Sequence, residues 1–521
     1  MPVIPVPFDT RRCQLLGLTG SAALAAGGVA VGAVPVRDVL APRSAAAALG
    51  LAGAYFGLVV LIAAWALLGR AVRGPVPPSP RTLLLTLALW SAPLLLAPPL
   101  FSRDVYSYLA QGAMVDAQID VYSYGPSRLG GPLTAEVAPI WQHTPTPYGP
   151  FFLACAAAIA EFARTEVSTG VLGMRLVALL GVALMVLCLP VLARRCGADP
   201  RAALWLGALN PLLLLHLVGG AHNDALMLGL LGAGLVAALG RWPVVGAVLV
   251  TLAALVKAPA ALGLIAVALL WAHRRRGRLP WLGAGLAVLG TAAATTALTT
   301  ALTGTGYGWI AALDTPVSPG NWSLTSSLGR MTGALLAGAG DGLARLAPFA
   351  VPAWHMLGLA ATALAVLVVW RRHRRLGPVY ALGLSLTAIA VLGPAIRPWY
   401  VLWGLFLIAA AAPGGAPARS PNPSSAASPA TSTSLKSLKS PKTPRTLPNR
   451  SPRLRRAAAV TSGVLALAVL PSGFAPDSTQ LLLAVAGGAA ALLLLLALWC
   501  AYQFMARGSS GRRPEPLGSP A

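Results

Sequence analysis

The stretch "YGPFFLACAAAIAEFA", residues 148–163, decides which way every later segment of the chain points. It is apolar enough to enter a bilayer, but it is short, follows a proline-rich run, and ends in Glu161 with Arg164 just beyond. A spanning helix needs about 20 apolar residues, so at this length an interfacial or re-entrant helix is as open as a crossing. The arginines separate the two cases. With Arg11 and Arg12 in the cytoplasm and 148–163 not crossing, the basic clusters at 69–74, 193–201, 273–278, 371–375 and 506–513 all fall inside. If it crosses, the clusters at 193–201, 273–278 and 371–375 move outside, against the positive-inside bias. The segment is therefore expected to belong to a long outer loop, about 100–170.

Composition sets the frame for that choice. The 521 residues are 56% hydrophobic and only 10% charged, which marks an integral membrane protein. Long apolar runs without alternation exclude a β-barrel and leave a polytopic all-α bundle. Helices are expected near 14–34, 46–69, 81–99, 171–193, 201–218, 224–240, 242–256, 258–272, 280–302, 349–370, 378–393, 398–413, 457–472 and 479–504. That makes about fourteen crossings at the length a bilayer demands. The first run resembles a signal peptide, but with many spans behind it an uncleaved helix is expected.

The net charge of +25 does not imply nucleic acid, because the basic residues cluster between apolar segments as cytoplasmic loops do. Cys13, Cys155, Cys188, Cys196 and Cys500 show no paired spacing, so neither a disulfide framework nor a zinc site is expected. Three parts follow: a transmembrane module over 1–413, a basic Ser/Pro-rich linker over 414–456, and a helix pair with its tail over 457–521. The linker carries no acidic residue and is expected to be disordered near anionic lipid headgroups.

On this topology the unusual polar residues share the outer side. They are "SRDVYSYLAQG" (102–112), "TPTPYGP" (144–150), "GGAHNDA" (219–225), Lys257, the loop about 303–348, and "IRPWY" (396–400). A transporter instead tends to place ionisable groups at mid-membrane on interrupted helices, and only "KAP" at 257–259 reads as an interruption. Asp104 suits a general base at the interface, and equally suits a helix cap. Asp224 poses the same choice, beside His222 and Asn223 at a helix mouth that favours anions. Lys257 and Arg397 read either as snorkelling side chains or as cations for a phosphate. Trp309, Trp322, Trp399 and Trp403 offer stacking faces for sugars, although interfacial aromatics need no ligand. Asp314 and Asp341 are weaker substrate candidates. No cluster has metal-ligand spacing, and no cofactor is expected.

The motifs "SRDVYSYLAQG", "NPLLLLHLVGGAHNDALM" (210–227), "SPGNWS" (318–323) and "RPWYVLW" (397–403) together resemble one family. It is the actinobacterial polyprenol-phosphate-mannose-dependent α-(1→6)-mannosyltransferases, within the GT-C glycosyltransferases. The resemblance runs over roughly 14–413 and leaves the linker out. It implies a plasma-membrane enzyme whose active site faces outward, moving mannose from a polyprenyl-phosphate-mannose donor to a lipid-linked mannan, with inversion. It also implies Asp104 as the base, and Arg103, His222, Lys257 and Arg397 around the donor phosphate. Tyr106, Asn223, Asp224, Asn321, Trp322, Trp399 and Tyr400 are then placed around the sugars. Transfer from another lipid-phosphate sugar such as arabinose, a transporter or flippase, and a non-enzymatic scaffold are the competing readings.

Overall fold

The computed structural model describes residues 9–31, 44–164, 166–276, 278–312, 323–411, 451–467 and 478–510. Among them there is no strand. Each of the expected apolar segments contains helix, but five helices are by themselves long and apolar enough to cross a membrane. These are Ala45–Val72, Val167–Arg195, Pro280–Thr303, Asp341–Arg371 and Leu481–Phe504. The helices Pro80–Leu96, Pro243–Ala254, Pro378–Leu392 and Pro398–Ala410 are apolar but shorter.

Two expected elements differ from a plain helix. The segment expected at 201–218 is a helix Pro200–Gly207 followed by a π-helical turn, Leu213–Gly219. It meets helix Asp224–Leu239 at a bend of 104°. The cause is local. Pro211 has no N–H to donate, and Asn210 Oδ1 takes the Leu212 N–H at 2.9 Å instead. Farther on, Ala221 turns the chain with a φ of 53°. "KAP" is thus not the only interruption. There, an extended Lys257 leads into a 3₁₀ turn, Ala258–Leu262, before helix Gly263–Ala272.

Within 148–163 the chain forms a helix, Pro150–Ala163, of 14 residues. At 1.5 Å per residue it is about 21 Å long, short of the roughly 30 Å hydrocarbon core. It packs on helix Asp104–Asp116, where Gly112 meets the Ala156 backbone too closely for any side chain. Close glycine contacts also fix the helix that carries Asp224: a Cβ on Gly229 would lie 2.5 Å from the Gly181 carbonyl. In lipid, where apolar side chains gain little by leaving solvent, such backbone contact is what joins helices.

The C-terminal helix Ser478–Ser510 lies against Ala45–Val72, with Gly487 seated on Ala52. Helix Ser451–Leu467 begins inside the end of the expected linker, and Arg455 donates to the Ala411 carbonyl at 3.3 Å. Residues 414–450 of that linker lie outside the described residues.

Candidate active site

Asp104 opens helix Asp104–Asp116 but does not cap it. The residue before it, Arg103, takes the cap position with no side-chain cap bond, and Ser102 Oγ accepts the Asp104 N–H at 3.2 Å. The carboxylate takes no cap bond; Ser102 and the His222 ring are its neighbours. It keeps 24% of its side chain accessible, against 0% for the His222 ring that faces it, with Oδ2 3.5 Å from Nδ1. Tyr108 Oη lies 3.4 Å from the same Nδ1 and donates at 3.4 Å to Asn223 Oδ1.

The exposed side of Asp104 opens on a cleft whose empty space, open solvent at the mouth included, is about 540 Å³. Its walls are Ser107 and Gln111 from the same helix, Trp141, Thr144, Pro145, Pro147 and Tyr148 from the loop that follows, and Lys257, Arg397 and Tyr400. Asp104 is the one acid on these walls among the described residues. Burial pushes its carboxyl above the ordinary range, while Arg397 and Lys257 pull in the other direction.

Asp224 also proves not to be a cap. It is fully buried and accepts from Lys257 Nζ at 3.0 and 2.9 Å, and from Trp403 Nε1. Lys257 sits 4.6 Å from the Tyr400 ring centroid, so its stem and head are fixed from two sides. Arg397 lies over Trp141 at 5.7 Å and faces the same space.

Several sequence-based placements change. Arg103 does not line the cleft: its guanidinium donates to Glu136 Oε2 at 2.8 Å and to the Glu136 carbonyl at 2.9 Å, above Tyr106. Tyr106 is buried beside it, away from the cleft walls. His222 lies against Asp104 and Trp399, with the two ring centroids 3.9 Å apart, and neither ring lines the cleft. Asn223 and Asp224 are buried and serve Tyr108 and Lys257 respectively. Trp403, expected as a stacking face, is a donor to Asp224. Asn321, Trp322 and Asp314 lie outside the described residues. Lys257, Arg397 and Tyr400 line the cleft with Asp104.

Sequence reading missed Trp141, Gln111 and Glu136. Glu136 holds Arg103 from 33 residues away, a pairing that only the fold shows. From the run "TPTPYGP", Thr144, Pro145, Pro147 and Tyr148 line the cleft. Gly149 closes that wall. A Cβ there would lie 2.6 Å from the Leu255 carbonyl, two residues before Lys257. Gly149→Ala must therefore separate the Tyr148 wall from the Lys257 wall. Turnover is expected to fall roughly tenfold, since small misplacements of site walls are costly; wild-type kinetics in this variant would refute the close approach.

The cleft brings one carboxylate, two cations and aromatic side chains together in a helical membrane protein. Comparisons with known proteins point to its class. A family model described as "Alpha-(1->6)-mannopyranosyltransferase, N-terminal domain" matches residues 14–273, and one described as "MptB C-terminal domain" matches 325–499. A probable alpha-(1->6)-mannopyranosyltransferase of Mycolicibacterium smegmatis is 36% identical over 457 residues, covering 77% of this chain and 79% of that one. Alpha-(1->6)-mannopyranosyltransferase A of Mycobacterium tuberculosis is 35% identical over 411 residues, covering 76% and 79%. Alpha-(1->6)-mannopyranosyltransferase B of Corynebacterium glutamicum is 32% identical over 453 residues, covering 77% and 74%. No solved structure matches the chain. The chain belongs to the α-(1→6)-mannopyranosyltransferase family.

Proposed function

We propose that this protein transfers mannose from polyprenyl-phosphate-mannose to a growing α-(1→6)-mannan, with inversion, at the outer face of the plasma membrane. The observation that carries this reading is the single carboxylate on a cleft with two cations opposite it. An inverting displacement on a phosphate-activated sugar needs one base, and a phosphate leaving group needs positive charge. A covalent retaining route would instead need a second carboxylate near the reacting carbon.

In this mechanism Asp104 takes the proton of the acceptor hydroxyl. That oxygen forms its bond to the anomeric carbon as the carbon–oxygen bond to phosphate breaks on the opposite side. The electron pair leaves with the phosphate, whose charge is met by Arg397 and by Lys257. Asp224 holds Lys257 in place, and Trp141, Tyr148 and Tyr400 offer apolar faces to the sugars. His222 and Tyr108 stand behind the base rather than on the phosphate. The polyprenyl chain stays in lipid beside a bundle of about fourteen crossings, and the 100–170 loop excludes water from the cleft.

The deciding experiment supplies the purified protein in nanodiscs with several radiolabelled lipid-phosphate sugars and a short α-(1→6)-mannoside. Elongation from the mannose donor supports the reading, whereas transfer only from the arabinose donor would replace it. The raised pKa of Asp104 also sets a pH dependence. The base works only as carboxylate, so kcat/KM is expected to rise with pH through a limb above the ordinary carboxylate range. A limb at or below the value of an exposed aspartate would count against Asp104 as that base.

A further inference from the structure

Arg175 lies within the spanning helix Val167–Arg195 and is 6% exposed. A guanidinium in such a place is costly, and intramembrane charge is usually retained for a use. Its hydrogen bonds all go to backbone carbonyls: Nη1 to Leu95 at 2.7 Å, and Nη2 to Ala97 at 2.8 Å and Gly219 at 3.2 Å. Leu95 and Ala97 end helix Pro80–Leu96 and begin the turn that leads to Asp104. Gly219 ends the π-helical turn that leads to His222. The same Gly219 carbonyl accepts the Leu100 N–H at 3.2 Å, so the two turns are also joined directly.

Both turns contain a strained residue. Phe101 has a φ of 59° and Ala221 a φ of 53°, the left-handed region that side-chain-bearing residues seldom adopt. Phe101 stands three positions before Asp104, and Ala221 immediately before His222. Strain of this kind persists only where the surroundings over-determine the backbone. The forked guanidinium, bonded to both turns at once, is the group that does so.

We propose that Arg175 is a positioning residue. It clamps the strained turn before Asp104 to the strained turn before His222 and so fixes the carboxylate–imidazole pair behind the cleft. This rests on Asp104 being the base of the transfer reaction. Lysine cannot replace the clamp, because it offers a point charge instead of a planar fork.

The test measures backbone hydrogen exchange and transfer kinetics on the full-length protein in nanodiscs. In Arg175→Met, exchange across 97–105 and 217–224 is expected to rise together, with helix Ala350–Arg371 unchanged. The kcat should fall roughly ten- to a hundredfold, with KM for the acceptor held within about twofold. Arg175→Lys should show the same pattern. Adding Ala221→Gly to Arg175→Met should recover part of kcat, since glycine holds the left-handed turn without a clamp. Unchanged exchange in the two turns overturns the proposal, as does a kcat loss matched by an equal loss of folded protein. If Arg175→Met does not fold, Arg175→Lys supplies the same readouts. If the wild-type protein transfers no lipid-phosphate mannose, the reaction assignment fails, and the exchange data still decide the clamp.

Discussion

Asp104→Asn is expected to reduce sugar transfer by about 10²- to 10⁴-fold, the usual worth of a general base, while leaving the protein folded. The substitution keeps the shape and the Ser102 bond to the backbone N–H, because that bond does not use the carboxylate. It removes the negative charge, and with it the ability to take a proton. If Asp104 were a helix cap, the same change would cost little turnover, as asparagine caps as well as aspartate. Binding of the lipid-phosphate donor should survive, since Arg397 and Lys257 are untouched. The measurement is kcat and donor affinity in nanodiscs; full turnover in Asp104→Asn would remove Asp104 from the mechanism.

Asp224→Asn is expected to destabilise the protein by about 3–5 kcal/mol, the cost of leaving one member of a buried ion pair unmatched. Asparagine can still accept from Trp403 Nε1, so the change isolates the charge opposite Lys257. A double variant, Asp224→Leu with Lys257→Met, should regain most of that stability, because two apolar side chains bury no charge. It should nonetheless stay impaired in transfer, since the cleft loses one of its two cations. Thermal or denaturant unfolding in detergent reads the first effect, and the transfer assay the second. Equal stability of Asp224→Asn and wild type would show that the pair contributes nothing, and full activity of the double variant would take Lys257 out of donor binding.

The two predictions differ in how far the sequence foresaw them. Asp104 was visible as an acid at a membrane boundary within a recognisable motif, and the structure adds that it is not a cap. Lys257 and Asp224 were visible as costly residues in apolar surroundings, but each had a bland local explanation. They are 33 residues apart, and nothing in either neighbourhood points to the other. The surroundings of His222 were hidden for the same reason. Its neighbours "HND" suggest an anion site at a helix mouth, yet the turn at Ala221 aims the ring at Asp104 and under Trp399. Arg175 was passed over because one arginine in a long apolar run looks like an exception rather than a clamp.

The helical class and the positions of the apolar segments came from the sequence by itself, because bilayer length and hydropathy are local quantities summed along one stretch of chain. The family was likewise legible there, since motifs are strings of neighbouring residues. Which segments bend, and which polar groups meet, was decided only by the tertiary structure. Those outcomes depend on backbone strain at Phe101 and Ala221, on close contacts at Gly149 and Gly181, and on partners such as Glu136, Lys257 and Arg175. A buried charge is satisfied by whichever group the packing brings within about 3 Å, and that distance has no counterpart in linear spacing.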